Sequence, residues 1–282
     1  DAAAAGVETA EVTDPSGQTV TVRRGDIRDL SDLAYFPSLT VASVQFQSLT
    51  SLESLPACGV EVFDVSANRL TSLTGIEQLP KLTSLTADGN AVTDLTGLGR
   101  CLNVRKLSLN GANVSDLSEL RALTKLQDIT LSHCTRRELL IPLHKSSLTR
   151  VTLVDCDLRG DFFHSFDRER AITSLTLIRC ELDSTSGLED FTGLTELTVR
   201  GVPGSLDWSA LGSLPLQTVT TDALQADAIA ASTTTACRWP NSLTAFQPLT
   251  IPPRLRAFFP ARSRGKFMAV MAAGGARHRA ET

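Results

Sequence analysis

The chain has 282 residues, of which 42% are hydrophobic, 21% charged and only 5% aromatic. That composition suits a folded protein with an aliphatic interior, and the length lies near the upper limit for one compact core. Net charge is −4, yet from Arg238 onward eight basic residues face Glu281 alone, a net of +7 that leaves −11 for residues 1–237; no apolar run approaches the length of a membrane-spanning helix.

Residues 1–6 have no basic n-region and no apolar h-region, so they do not read as a signal peptide. Residues 1–16 are polar and Ala-rich, run into the turn-like Asp14-Pro15-Ser16-Gly17, and are expected to cap the first coil. Val20 and Val22 then alternate with Thr19 and Thr21 as in a strand, followed by Ile27, Leu30, Leu33 and Phe36 at spacing three. A second unit places Ala42, Val44, Leu49, Leu52, Leu55 and Cys58 inward, although Val41, Val44 and Phe46 also fit a strand one residue out of register. From Val60 the pattern is unambiguous: Val60, Phe63, Val65, Asn68, Leu70, Leu73 and Ile76. Leu82, Leu85, Ala87, Asn90, Val92, Leu95 and Leu98 are matched 22 positions later by Val104, Leu107, Leu109, Ala112, Val114, Leu117 and Leu120. The same phase continues through Leu126, Ile129, Leu131 and Cys134, then Leu148, Val151, Leu153, Cys156 and Leu158. After an insertion of two residues it resumes with Ile172, Leu175, Leu177, Cys180 and Leu182, then Leu194, Leu197, Val199 and Val202, and fades at Leu216 and Val219. One such repeat cannot bury its own apolar residues, but stacked repeats bury them against each other, so the pattern predicts a solenoid of about ten coils over 17–221. Residues 223–235 have no phase, and five prolines between Pro240 and Pro260 rule out a long helix there. Residues 222–282 are therefore expected to form a C-terminal cap and a basic, partly flexible tail.

The run Leu82-Thr-Ser-Leu85-Thr-Ala87-Asp-Gly-Asn90-Ala-Val92-Thr-Asp-Leu95-Thr-Gly-Leu98 resembles the leucine-rich repeat. Its 22-residue period is similar to the class found in the protein phosphatase 1 regulatory leucine-rich subunit and in bacterial internalins. The resemblance implies an α/β solenoid, a curved right-handed stack with a parallel β-sheet on its concave side and mostly 3₁₀ or short-helical turns on its convex side. It implies binding rather than a particular chemistry. The chain departs from the family at the Asn position, where Asn68 and Asn90 are followed by Ala112, Cys134, Cys156, Cys180 and Val202. Cys replaces that Asn in the repeats of some F-box proteins, but no F-box pattern is present here.

Physically, 126–131 is a short strand whose Ile129 and Leu131 point inward, and an Asn at the following corner can satisfy turn backbone groups. The outward positions predict three rows. A central hydroxyl row includes Thr130, Thr152, Thr176 and Thr198. Beside it, Lys106, Asp128 and Arg150 alternate in sign on neighbouring strands, as cross-strand ion pairs would. On the other side Val154 and Ile178 form an expected exposed apolar pair, rimmed by His133, Asp155, Arg179 and Arg200, which is how a binding hot spot is built. The alternatives are a chance pair of β-formers and a surface covered by the C-terminal segment. Cys134, Cys156 and Cys180 line up at the corner; without a C-x-x-C pair they read as a buried thiol ladder rather than a zinc site. Arg24-Gly25-Asp26 and Arg159-Gly160-Asp161 are chance tripeptides, and 159–171 is expected to be a short convex helix with Phe162, Phe163 and Phe166 inward.

No nucleophile is phased with His133, His144, His164 or His278, and no phosphate-binding Gly loop is present. The expected function is therefore a non-catalytic interaction module without cofactor or metal, an adaptor or scaffold subunit binding a protein on the concave face. Buried thiols favour an intracellular, cytoplasmic setting. The alternatives are a ribonucleoprotein component touching RNA phosphates through Arg254, Arg256, Arg262, Arg264, Lys266, Arg277 and Arg279, and an exported internalin-like recognition protein.

Overall fold

The computed structural model describes residues 9–13, 19–23, 27–134, 148–160, 162–165, 171–204, 206–222, 225–229 and 243–245. The basic residues from Arg254 to Arg279, Cys237, Phe166 and the Arg24-Gly25-Asp26 tripeptide lie outside these residues.

Two strands, β1 (Thr9–Thr13) and β2 (Thr19–Arg23), form an antiparallel pair of their own. Ten more make one parallel sheet in which every strand pairs with the next in sequence. They are β3 (Val41–Ser43), β4 (Val62–Asp64), β5 (Ser84–Thr86), β6 (Lys106–Leu109), β7 (Asp128–Ser132), β8 (Arg150–Val154), β9 (Ser174–Ile178), β10 (Glu196–Arg200), β11 (Thr218–Thr221) and β12 (Leu243–Ala245). Register follows the repeat: Leu107 pairs with Ile129, Ile129 with Val151 and Val151 with Leu175. Side chains alternate along each strand, so one apolar set enters the core while Thr, Ser and charges stay on the outer face.

Each coil returns through a 3₁₀ turn, such as Ile76–Gln78, Leu98–Arg100, Ser118–Ala122 and Leu188–Asp190. The entry to these turns is built locally. Carboxylate or hydroxyl oxygens of Asp29, Ser51, Ser72, Asp94, Asp116, Ser184 and Asp207 each accept the backbone N–H two residues on. Such turns spare the corner an unsatisfied donor. At Gly75, with φ of 103°, an added Cβ would lie 2.3 Å from the Leu52 carbonyl oxygen, so only glycine lets these two coils approach. Leu49, Leu73, Leu95, Leu117, Leu158 and Leu211 belong to one continuous apolar core along the stack. The two-residue insertion is spent on the return side, where Phe162 and Phe163 are buried and meet edge to face at 5.2 Å. The turn there is a single 3₁₀ segment, Phe163–Ser165, among the described residues of this stretch.

Two expectations change, and the ambiguous register of the second unit is resolved. Val20 and Val22 do lie in a strand, but it pairs antiparallel with β1 and not with the solenoid sheet. Alternation alone cannot separate a hairpin strand from a solenoid strand, since both have period two. The second unit takes the register with Ala42 and Val44 inward, leaving Val41 and Phe46 exposed. The sheet also continues beyond residue 221 through β12, which pairs in parallel with β11.

Candidate partner-binding face

The corner that follows each strand is made in two chemically different ways. In the first coils, amide side chains hold it. Asn68 donates to the carbonyls of Val44 at 2.7 Å and Val65 at 2.8 Å, and its oxygen accepts the Leu49 N–H at 3.1 Å. Asn90 repeats this one coil on, with Val65, Ala87 and Leu70 each at 3.0 Å. Gln47, buried, occupies the equivalent place in the coil before Asn68, and at the other end buried Gln225 donates to the Val202 carbonyl at 2.7 Å. Between them the position is Ala112, Cys134, Cys156, Cys180 and Val202, all buried. Here thiols substitute for amides: Cys156 Sγ reaches the Val154 carbonyl and Cys180 Sγ the Leu153 carbonyl, each at 3.4 Å. The adjoining Cys134 sulfur, with burial, pushes the Cys156 thiol up to about 12. Cys58, Cys101, Cys134, Cys156 and Cys180 are free thiols. Among the described residues no group of three or more His, Cys, Asp or Glu is placed to hold a metal ion.

The residue immediately before that corner adopts a left-handed backbone in coil after coil. Gly89, Gly111 and Gly201 do so with φ of 67°, 92° and 63°. At the same repeat position Phe46 and Ala67 in the first coils have φ of 56° each, and His133, Asp155 and Arg179, between Gly111 and Gly201, have φ of 56°, 54° and 51°. Their N–H groups extend the inter-coil ladder past the strands, His133 to the Val154 carbonyl, Asp155 to that of Ile178 and Arg179 to that of Arg200. Their side chains then interlock. Arg179 grips Asp155 with two bonds, at 2.7 and 2.6 Å, and His133 Nε2 lies 3.8 Å from the same carboxylate. His133 Nδ1 is also 3.0 Å from the Ser132 hydroxyl. The sequence placed these three residues in one row; Asp and His are tolerated in that conformation, but Arg carries no sign of it.

Thr130, Thr152, Thr176 and Thr198 stand in register on the outer face, all half-buried. On their far side Asp128 lies 2.9 Å from Arg150 and 3.6 Å from Lys106, the expected cross-strand pairing. Arg200 is half-buried at the end of β10. The expected exposed apolar pair is not formed. Val154 is only 6% exposed and Ser132, its partner in register, 2%; Ile178 is half-buried. Both buried residues end their strands, where the chain rotates into the left-handed corner and strict alternation stops. Further along the face, burial raises the pKa of Asp88 against the opposing bonds from the Ser108 hydroxyl and the Asn110 N–H, both at 2.7 Å.

No protein-family model matches the chain, and no curated protein matches it. Solved structures do. Internalin C2 of Listeria monocytogenes is 18% identical, with 74% of this chain and 87% of that one covered and a TM-score of 0.52. A leucine-rich-repeat protein of Leptospira interrogans is 16% identical, with a TM-score of 0.57 over 78% of this chain. The match spans only 58% of the Leptospira chain. The fold is therefore that of a leucine-rich-repeat solenoid. Among the described residues no helix is long and apolar enough to cross a membrane.

Proposed function

We propose that this leucine-rich-repeat chain is a non-catalytic protein-interaction module, an adaptor or scaffold subunit whose partner docks on the outer face of the sheet. The contact would run over Thr130, Thr152, Thr176 and Thr198, with His133, Asp155, Arg179 and Arg200 along one border. Val154 is a support beneath this surface and not a contact. The observation that carries the reading is the ion-paired row at the corner. His133, Asp155 and Arg179 occupy one repeat position in three consecutive coils and interlock through the Asp155 carboxylate, beside the threonine row. Charged groups held in fixed positions beside hydroxyls offer a partner directional contacts. An intracellular setting would keep the stacked thiols reduced.

Site-specific photo-crosslinking tests the proposal. A benzophenone residue replacing Thr152 should capture a discrete protein from the source cells, and the same residue replacing Arg100, on the return side, should not. Capture from position 100 alone would move the docking site to the opposite side.

A further inference from the structure

The two ion-pair clusters on this face share a construction. Asp128 is bracketed by Lys106 and Arg150, and Asp155 by His133 and Arg179. In both, the carboxylate is recessed and its neighbours project. The Asp128 side chain is 22% exposed against 64% and 57% for its partners; that of Asp155 is 29% against 46% and 47%. An ion pair at equal depth presents a dipole. A sunken carboxylate flanked by raised donors presents the donors, and the buried charge serves to aim them. An approaching molecule therefore meets two nitrogen-rich points separated by the Thr130–Thr152–Thr176 hydroxyls. With His neutral, the Lys106–Asp128–Arg150 cluster is net +1 and the His133–Asp155–Arg179 cluster is net zero, against −11 for residues 1–237. Screening confines the repulsion of the remaining acidic groups to about 8–10 Å.

The spacing of the two points is set by the fold. Arg150 opens β8, and Asp155, which holds Arg179, lies five residues on, past the strand's end. At about 3.3 Å per residue the points are about 16 Å apart along the strand direction. An extended peptide spans that distance in four to five residues.

Resting on the docking face proposed above, we infer that the partner presents an extended acidic segment, with carboxylates four to five residues apart, to Arg150 and Arg179. Threonine hydroxyls between them serve the intervening peptide groups. A nucleic acid fits the face less well. Each cation already has a carboxylate beneath it, which opposes a continuous row of phosphates. The exposed large aromatics, Tyr35, Phe36 and Phe46, belong to the first coils, leaving no stacking platform here among the described residues.

Labelled peptides carrying two Glu-Glu pairs separated by three Gly/Ser residues provide the probe, with contiguous tetra-glutamate as a control of equal charge and shorter span. Fluorescence anisotropy with the full chain should show salt-sensitive binding at least about fivefold tighter for the spaced peptide. The Arg150→Gln/Arg179→Gln pair should weaken it at least about tenfold, with Arg100→Gln unchanged. The Lys106→Gln/His133→Gln pair, which spares both Asp155–Arg179 and Asp128–Arg150 bonds, should weaken it less, so a folding defect in the first pair would not mask the effect. Absence of binding up to about 1 mM peptide would overturn the inference. So would equal binding of both peptides, equal loss in Arg100→Gln, or stronger binding of oligouridylate through the same arginines. If crosslinking from position 152 persists while the acidic peptides fail, the docking face stands and its partner chemistry falls.

Discussion

The early and middle coils solve the same corner with different chemistry. Asn68 and Asn90 close theirs with hydrogen bonds to four backbone groups each, whereas Cys134, Cys156 and Cys180 make only weak thiol contacts. The left-handed residue beside them changes too, from Ala67 and Gly89 to His133, Asp155 and Arg179. The stack thus tolerates weaker corner bonding where the register is held from both sides, and it is there that costly polar residues appear. What the fold requires at the corner is a filled volume and a satisfied backbone; the amide is one way to meet both.

The comparison presumes a single core continuing through both regions. Leu109, fully buried between the amide and thiol coils, tests that presumption. Leu109→Asp would bury a carboxylate among aliphatic neighbours and should cost several kcal/mol, about 4 or more. A thermal melt within a few degrees of the parent would show that the two regions are not packed as one.

Corner substitutions sharpen the contrast itself. Asn90→Ala leaves the Ala87 carbonyl and the Leu70 N–H without this side-chain partner and the Val65 carbonyl with Asn68 alone, which should cost about 2–4 kcal/mol. Cys156→Ala removes only a sulfur and its weak bond, for about 1 kcal/mol. Urea midpoints of the two variants should separate accordingly. Equal losses would mean that the thiols contribute as much as the amides.

The smallest effect concerns Asp88, at the border between the regions. Its folded pKa is raised by burial, so the fold disfavours the ionised form. That penalty is present above the folded pKa and disappears as pH falls below the unfolded value. Asp88→Asn keeps an oxygen for Ser108 and Asn110, so it should stabilise the chain by up to about 1 kcal/mol at neutral pH, with the gain shrinking on acidification. A variant that melts lower at pH 7 would show that the ionised carboxylate makes stronger bonds than its burial costs.

Much of this was legible from residue phase. Leu107, Ile129 and Val151 face inward and pair as their spacing demands, and Lys106, Asp128 and Arg150 meet because parallel strands in register place equal phases side by side. Burial of Val154 was not legible. Its alternation is that of an outward residue, and the backbone rotation that hides it is set by the following Asp155. The left-handed row escaped for a related reason, because Phe46, Ala67 and Arg179 give no propensity signal for it and the weak preference of Asp and His does not mark one conformation. The strand at Leu243–Ala245 follows a stretch without phase, so periodicity could not reach it.

The bonds that join one coil to the next have a mechanical consequence. Thr149, Thr173 and Thr195 hydroxyls each bond a carbonyl of the preceding coil, in line with the backbone bonds of the sheet. All of them run along the stacking direction. Tension applied to the two ends of the solenoid therefore opens one interface at a time, as a zipper does, instead of shearing many strands together. Each peeled unit of 22 residues, the separation of Leu107 from Ile129, would release about 75 Å of extended chain. The molecule would lengthen under load in nearly equal increments, and a partner bridging Arg150 and Arg179 across neighbouring coils would act as a clasp against that peeling.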